Sequence, residues 1–212
     1  VVAGGSSSYI EAMQRDWSVQ VRLATPVRGV TRHEDGVELA LPAGVSERYD
    51  QVVLACHADQ ALALLRDPTA AEREVLGAIT FQPNDTVLHT DARLLPSRRK
   101  AWAAWNAYVP ARPGEDCTVS YCMNLLQSFQ SRDPFVVTLN RTADIDPSRI
   151  IARMQYAHPV YSHASVAAQG RRGQINGQRR TWYAGAYWGF GFHEDGLRSG
   201  VEVARGLGVA WP

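Results

Sequence analysis

The N-terminal part of the chain alternates short apolar runs with turn residues. After Gly4-Gly5-Ser6, four apolar residues recur at helical spacing and predict an amphipathic helix: Tyr9, Ile10, Met13 and Trp17. Two strands are predicted next, one over Val19–Leu23 and one that ends at Val30. His33-Glu34-Asp35-Gly36 then precedes the alternating Val37-Glu38-Leu39, which is typical of a β-hairpin.

A continuous apolar run follows at Tyr49–Ala55. Its composition predicts a short strand that is buried on both faces. A helix is predicted from about Asp59, including Leu62, Leu64 and Leu65, and it should end before Pro68. A second short helix is predicted over Ala71–Leu76.

The middle of the chain has the pattern of an antiparallel sheet. Four alternating or aromatic-rich runs predict its strands: Thr86–Thr90, Trp102–Tyr108, Thr118–Met123 and Phe135–Leu139. We expect this sheet to form a second subdomain. A helix is predicted over Asp146–Tyr156, and the polar stretch Gly170–Arg180 is predicted to be a solvated loop.

The C-terminal stretch combines a strand (Thr181–Tyr187), a glycine-rich turn (Gly189–Gly191) and a helix (Asp195–Arg205). One face of this helix carries small or short residues at successive turns: Gly196, Ser199, Gly200 and Val203. A planar group or another backbone could therefore approach closely. The helix N-terminus also offers unpaired N–H groups, which suit a phosphate or an electron-rich carbonyl edge.

A purely structural interpretation of this segment is equally open. A tightly packed strand–turn–helix with Asp195 as a plain N-cap would need the same residues. The glycines do not form the G-x-G-x-x-G fingerprint of dinucleotide binding, and no such motif occurs elsewhere in the sequence.

Composition and charge exclude several function classes. The chain has 212 residues and is 45% hydrophobic, enough to bury a core as one domain or two small ones. Its net charge of +1 gives no field that would attract nucleic acid or anionic lipid, and no run reaches the length of a membrane span. Cys56, Cys117 and Cys122 lack C-x-x-C spacing, so we expect reduced thiols in a cytoplasmic protein, with no metal site.

The C-terminal segment resembles a known family. Gly185-Ala-Tyr-Trp followed by Glu194-Asp-Gly-Leu-Arg-Ser-Gly200 is similar to the C-terminal flavin-binding segment of the flavin-containing amine oxidase, protoporphyrinogen oxidase and phytoene desaturase superfamily. It is most similar to the bacterial, dehydrogenase-like NAD/FAD-binding proteins of that group. The resemblance implies that this strand and helix close over the ribityl chain and the pyrimidine side of FAD. The implied cofactor-binding residues are Val27, Gly185, Ala186, Tyr187, Trp188, Glu194, Asp195, Gly196, Leu197, Ser199 and Gly200.

Two further stretches match in the same order along the chain. Gly4-Gly5, with Thr25-Pro26-Val27 after the first helix, resembles the segment whose backbone meets the adenine at Val27. Tyr49–Cys56 resembles the strand that leads out of the cofactor domain. The resemblance implies an α/β fold, α+β overall. Residues 1–65 and 151–212 would form a partial FAD-binding domain, and residues 66–150 an inserted antiparallel-sheet substrate-binding subdomain.

The function implied by the resemblance is FAD-dependent oxidoreduction. We expect the C-terminal part of an enzyme that transfers a hydride from a C–N or C–C bond of an apolar, lipid-like small molecule to flavin. Its partner would be a missing N-terminal dinucleotide-binding half, and a homo-oligomer is a further expectation. This chain by itself would be inactive and would hold FAD weakly or not at all. The alternative is a non-catalytic ligand-binding or assembly module that retains the fold.

The sequence departs from the family pattern at Gly185-Ala186, where Gly-Asp or Gly-Glu is common, so the usual carboxylate contact to the ribityl chain is not expected there. No catalytic acid or base stands out. His57 and His158 are candidate cavity residues, although a lone loop histidine is more often structural. Four aromatic residues could line a flavin and substrate site or belong to the core: Tyr187, Trp188, Phe190 and Phe192.

Overall fold

The computed structural model describes residues 2, 5, 7–111 and 117–210. In chain order its helices and strands are α1 (Ser7–Asp16), β1 (Gly29–Arg32), β2 (Val37–Ala40), β3 (Ser46–Tyr49), β4 (Val52–Leu54), α2 (Ala58–Leu64), α3 (Ala70–Gly77), β5 (Phe81–His89), β6 (Trp105–Tyr108), β7 (Thr118–Cys122), α4 (Met123–Leu126), β8 (Val136–Leu139), β9 (Ile150–Pro159), α5 (His163–Gln169), β10 (Thr181–Tyr183) and α6 (His193–Gly206).

The chain divides into two compact units. We call Val1–Gln20 with Pro83–His158 the sheet unit, and Val21–Gln82 with Pro159–Pro212 the mixed unit. Each unit is built from segments that are distant in the sequence.

A three-stranded antiparallel sheet, in the order β1-β2-β3, belongs to the mixed unit. Arg32 pairs with Val37 across the first two strands, and the backbone N–H of His33 donates to the carbonyl of Gly36 across 2.8 Å. The predicted hairpin at residues 33–36 is therefore confirmed.

A parallel pair, β4 with β10, joins two distant segments of the mixed unit. Val52 and Leu54 of β4 are buried, whereas Val53 between them is 42% exposed. The prediction of a strand buried on both faces is therefore wrong. Only the face that carries Val52 and Leu54 packs against the hydrophobic core.

The core of the mixed unit includes Leu76, Ile175 and Tyr183, all nearly inaccessible to solvent. Helices α2 and α3 lie where the sequence predicts them, so both predictions are confirmed. Helix α5 was not predicted. The prediction of a solvated loop over Gly170–Arg180 is wrong, because Arg172 and Ile175 within this stretch are buried.

An ionic network centred on Arg32 and Glu72 is buried in this unit. The Nη2 atom of Arg32 lies 3.0 Å from Oε2 of Glu72, and its Nε atom lies 3.0 Å from Oδ1 of Asp67. Tyr183 donates its hydroxyl to Oε1 of Glu72 across 2.6 Å, and the N–H of Thr69 donates to Oε2 across 2.7 Å. The carboxylate thus connects β1, β10 and the N-cap of α3.

We expect the stability of the mixed unit to fall in acid because of Glu72. Burial alone would raise the pKa of this carboxyl group, but the hydrogen bonds from Arg32 and Tyr183 outweigh it and lower the pKa from 4.5 to about 2. A carboxyl group with a lowered pKa stabilises the fold above its unfolded pKa, and this contribution is lost as the pH falls from 4.5 through about 2.

Denaturant titrations from about pH 6 to about pH 3 measure this loss as a falling free energy of unfolding. In the Glu72→Gln variant the same pH profile should be flatter, since the titrating group is gone. A variant profile as steep as that of the unmodified chain would contradict the assignment.

The sheet unit is built on a five-stranded sheet with the order β6-β7-β8-β5-β9. The pairs β6 with β7, β7 with β8, and β8 with β5 are antiparallel. Along β7, Thr118, Ser120 and Cys122 are buried and the residues between them are less so, which is the alternation of a strand. The predicted antiparallel sheet is confirmed.

The strand β9 lies where a helix over Asp146–Tyr156 was predicted, so that prediction is wrong. Pro147 instead begins a single 3-10 turn that ends at Arg149. From Ile150 onward, partly buried residues alternate with exposed ones, which is the period of a strand and not of a helix. Adjacent β-branched residues, Ile150 and Ile151, also favour extended backbone.

Helix α1, together with the residue that follows it, has an exposed apolar stripe. Its members are between 38% and 50% exposed: Tyr9, Ile10 and Met13 in the helix, and Trp17 just after its end. Gly4 and Ser6 of the predicted loop and N-cap lie outside the described residues. The strand predicted over Val19–Leu23 is wrong, because this segment forms bends and turns and its apolar side chains stay exposed, up to 84% at Leu23.

Taken together, the helices and the three sheets formed by the described residues confirm the predicted mixed α/β class. Assignment of a partial FAD-binding domain to residues 1–65 and 151–212, and of a substrate-binding subdomain to residues 66–150, stays a prediction. Cys56, Cys117 and Cys122 are free thiols. Within the described ranges, no helix has the length and apolar character needed to cross a membrane.

Candidate functional site

The segment after β10 turns sharply at Gly185. This strand ends at Tyr183, earlier than predicted, and a 3-10 turn over Ala186–Trp188 follows. The N–H of Gly185 donates to Oγ of Ser199 across 2.8 Å, which fixes the end of the strand against α6. A Cβ atom on Gly185 would lie 2.3 Å from the ring of Tyr187, so the close packing of this turn requires glycine.

The first turn of α6 is held by Asp195. The helix begins at His193, so Asp195 is its third residue. Asp195 is therefore not an N-cap, as the purely structural interpretation of the sequence had it. Its carboxylate accepts from the N–H groups of Phe190 and Phe192, at 2.9 and 3.1 Å, and pairs with Arg198. The side chain therefore fixes the glycine-rich turn to the helix.

The small face of α6 is only partly open. Ser199 and Val203 are 1% and 4% exposed, and the hydroxyl of Ser199 is occupied by Gly185 and Gly196. A Cβ on Gly196 would lie 3.9 Å from Ala186, which is ordinary contact. A Cβ on Gly200 would meet no atom of the described chain within 4 Å. Close approach by another group is therefore possible at Gly200.

The electrostatics of the α6 N-terminus are mixed. The N–H groups of His193 and Glu194 have no partner inside the helix, as in any first turn. The two acidic residues of this turn, Glu194 and Asp195, offset the positive end of the helix dipole. The sequence predicted either a phosphate or an electron-rich carbonyl edge as the ligand. The helix end suits a carbonyl or hydroxyl edge better than a phosphate.

The predicted aromatic residues separate into two groups. Tyr187 is 4% exposed and burial raises the pKa of its hydroxyl, while Trp188 packs against the same core. Phe190 and Phe192 are 65% and 59% exposed. Of the four, Tyr187 and Trp188 therefore support the turn, and Phe190 and Phe192 are available to a ligand or partner.

Two polar residues that the sequence analysis missed hold this site together. The Nη2 atom of Arg172 donates to the carbonyls of Tyr183 and Ser199, at 3.1 and 2.7 Å, and burial lowers the pKa of its guanidinium. The amide of Gln169 donates to the carbonyls of Tyr187 and Gly189, at 3.0 and 2.7 Å. In sequence both residues are part of a polar stretch with no periodicity that would mark them as buried.

The remaining predicted residues lie elsewhere. Val27 is half-buried against the core of the mixed unit, just before β1. His57 stacks on Phe81 with ring centroids 4.3 Å apart, and it belongs to the same unit. His158 belongs to the sheet unit and hydrogen-bonds Asn84 across 2.8 Å. Glu194 and Leu197 are exposed on α6. The described part of the chain contains no cluster of His, Cys, Asp and Glu that could hold a metal ion.

The fold of nearly the whole chain is similar to several solved structures. A CLA-producing fatty acid isomerase from P. acnes matches 95% of this chain with 52% of its own, at 18% identity and a TM-score of 0.64. A provisionally assigned protoporphyrinogen oxidase from Exiguobacterium sp. 255-15 matches 98% with 51%, at 16% identity and a TM-score of 0.67. A putrescine oxidase bound to putrescine matches 96% with 53%, at 13% identity and a TM-score of 0.59.

A sequence profile matches the N-terminal part of the chain. Residues 1–99 match the profile of the flavin containing amine oxidoreductases. The resemblance to the flavin amine oxidase superfamily is confirmed. A comparison with curated proteins gives no significant match. The chain spans about half the length of the solved structures described above.

The residues around α6 can be tested for their fit to the flavin of this superfamily. A planar group can approach the helix at Gly200, and the N–H groups of His193 and Glu194 can donate to an electron-rich edge. Ala186 supplies no carboxylate, whereas Glu194 is exposed in the first turn of α6. The arrangement therefore fits part of a flavin, and the hydroxyl of Ser199 is already occupied by the backbone.

Proposed function

We propose that this chain is the C-terminal part of an FAD-dependent oxidoreductase that transfers a hydride from a C–N or C–C bond of an apolar substrate to flavin. The observation that carries the proposal is the open face of α6 at Gly200, beside the glycine turn that follows β10. Support comes from the match to a family of flavin-containing oxidoreductases.

The residues proposed to hold the flavin fall into two groups by what they offer. Gly196 and Gly200 would offer backbone and space, because a Cβ atom at either position has no neighbour closer than 3.9 Å in the described chain, and Gly185 and Ala186 would offer backbone. Glu194 and Leu197, both exposed on α6, would contact the cofactor through their side chains. Val27 would face the adenine through its backbone.

The bound flavin would supply the electron acceptor for the hydride. The residues of this chain would supply position. Asp195, Arg172 and Gln169 hold the turn and the first turns of α6 by hydrogen bonds that already exist without a ligand. Such preorganisation keeps a binding surface from having to rearrange when a cofactor binds. We assign no acid or base to the reaction.

A further part of the protein is proposed to cover the exposed apolar surfaces. The stripe on α1 and the rings of Phe190 and Phe192 leave large hydrophobic side chains open to solvent. Groups of exposed apolar side chains often mark an interaction site. We propose that an N-terminal dinucleotide-binding half covers the stripe on α1 in the complete protein, and that, separately, an apolar, lipid-like substrate contacts the rings of Phe190 and Phe192.

The variant Gly200→Val tests the proposed flavin site in the complete protein. A Cβ atom at this position meets no atom of the described chain within 4 Å, and valine has a higher helix propensity than glycine, so the fold should be kept. A β-branched side chain would hold the flavin away from α6, and we expect FAD affinity to fall by about tenfold or more. The measurement is flavin content after desalting, with the dissociation constant from titration.

The matched control is Ala70→Val, which introduces the same side chain at the exposed first residue of α3. This variant should retain as much flavin as the unmodified protein. If the two variants retained equal amounts, the open face of α6 would not be part of the flavin site.

A further inference from the structure

The sheet unit contains a cavity of about 400 Å³ that the proposed flavin site does not use. It lies between the turn around Arg99 and the segment from α4 to β8. Its volume is within the range of small-molecule sites in proteins. All of its lining residues belong to this one unit.

The charged residues of the cavity lining that the structure describes are Arg99 and Arg132, and none of the described lining residues is an aspartate or glutamate. Within the described ranges, neither arginine has a carboxylate oxygen within ion-pair distance, whereas Arg93 and Arg141 of the same unit are paired with Asp91 and Asp144. The guanidinium groups of Arg99 and Arg132 are therefore free to bind an external anion.

The wall beside these charges is aromatic and fixed in place. The indole N–H of Trp102 donates to the carbonyl of Pro96 across 2.8 Å. The guanidinium of Arg99 lies 5.5 Å from the centroid of the Trp102 ring. Phe129 packs against Phe135 with centroids 5.8 Å apart. An apolar, flat ligand body would find a preformed surface on Trp102 and Phe129.

The segment on the other side of the cavity is held together by hydrogen bonds of the Asn124 side chain. Its Nδ2 atom donates to Oγ of Ser131 across 2.7 Å, and its Oδ1 atom accepts from the N–H of Phe135 across 2.7 Å. These bonds hold the loop that carries Phe129 and Arg132 against α4, which directly follows β7. The cavity therefore has its shape before any ligand binds.

We propose that this cavity binds a small molecule with a carboxylate group on a flat, apolar body. The carboxylate would accept hydrogen bonds from Arg99 and Arg132, and the body would lie against Trp102 and Phe129. The inference does not depend on the flavin, because every residue that carries it lies in the sheet unit.

The test is calorimetric titration of the 212-residue chain with 2-naphthoate and, separately, with the neutral 2-naphthamide. We expect 2-naphthoate to bind, and 2-naphthamide to bind about tenfold more weakly or worse, since it lacks the charge. Arg99→Gln and Arg132→Gln should each weaken 2-naphthoate binding by about tenfold or more. Both side chains are exposed, so the variants should fold, which far-ultraviolet circular dichroism checks.

The control is Arg98→Gln, which removes the same charge from an exposed neighbour that does not line the cavity. It should leave the affinity for 2-naphthoate within about twofold, because an exposed charge outside the site is screened by salt. Three results would each overturn the proposal. They are no binding of 2-naphthoate, equal binding of the acid and the amide, and equal effects of Arg98→Gln and the two cavity variants.

Discussion

Replacing Arg32 with methionine is expected to lower the free energy of unfolding of the chain by about 3–5 kcal/mol. The side chain of Arg32 is inaccessible to solvent and is paired with Glu72, whose side chain is 2% exposed. Removing one partner of a buried pair leaves the other as an uncompensated charge in a medium that solvates it poorly. Tyr183 and Thr69 would remain as the donors to Glu72.

Chemical denaturation measures this loss, and Arg48→Met is the matched control. Arg48 pairs with Asp35 on an exposed hairpin, where the two side chains are 53% and 76% exposed. A pair of this kind contributes about 1 kcal/mol or less. The double variant Arg32→Met/Glu72→Gln should recover part of the loss, because the stranded charge is removed. Equal destabilisation by Arg32→Met and Arg48→Met would show that the buried network contributes no more than an exposed pair.

The second large effect concerns the cofactor: this chain on its own is expected to purify without stoichiometric FAD. In dinucleotide-binding folds a glycine-rich turn and a helix N-terminus supply most of the phosphate contacts. No G-x-G-x-x-G sequence occurs in residues 1–212. The helix end that is present, that of α6, carries Glu194 and Asp195 in its first turn and is therefore a poor partner for a pyrophosphate.

The magnitude of this effect follows from the contacts that are missing. An exposed anionic contact at a helix end contributes about 0.3–1 kcal/mol, and every 1.4 kcal/mol changes affinity about tenfold. Losing several such contacts would move a tightly bound cofactor into a range where desalting removes it. The same chain exposes the apolar residues of α1, so self-association at high concentration is a further consequence.

The parts of this fold that local chemistry decides could be predicted from the sequence. The hairpin at residues 33–36 needs only Asp-Gly between alternating strands. Helices α2 and α3 follow from their apolar spacing and from the capping box of Thr69 and Glu72 at the start of α3. In the same way, the small face of α6 is visible in the spacing of Gly196 and Gly200.

The parts that tertiary context decides could not be predicted. The stretch that forms β9 contains no turn residue before Pro159 at its end, so its sequence alone does not distinguish a strand from a helix. Its neighbour in the sheet, β5, is distant in sequence. The burial of Arg172 depends on carbonyl groups of Tyr183 and Ser199 that only the folded chain brings to it. Asp195 resembles an N-cap in sequence, and its role depends on where the turn before α6 places Phe190 and Phe192.

The central claim, that this chain contributes to a flavin site, is tested most directly by the visible absorbance spectrum after desalting. The spectrum is recorded for the complete protein and for the 212-residue chain, purified side by side. We expect a flavin band of stoichiometric size in the complete protein, bleached by substrate in the absence of oxygen, and little or no band in the chain alone. A complete protein without a flavin band would contradict the claim. A chain that alone retained stoichiometric flavin would show that its main cofactor contacts lie in residues other than those assigned here.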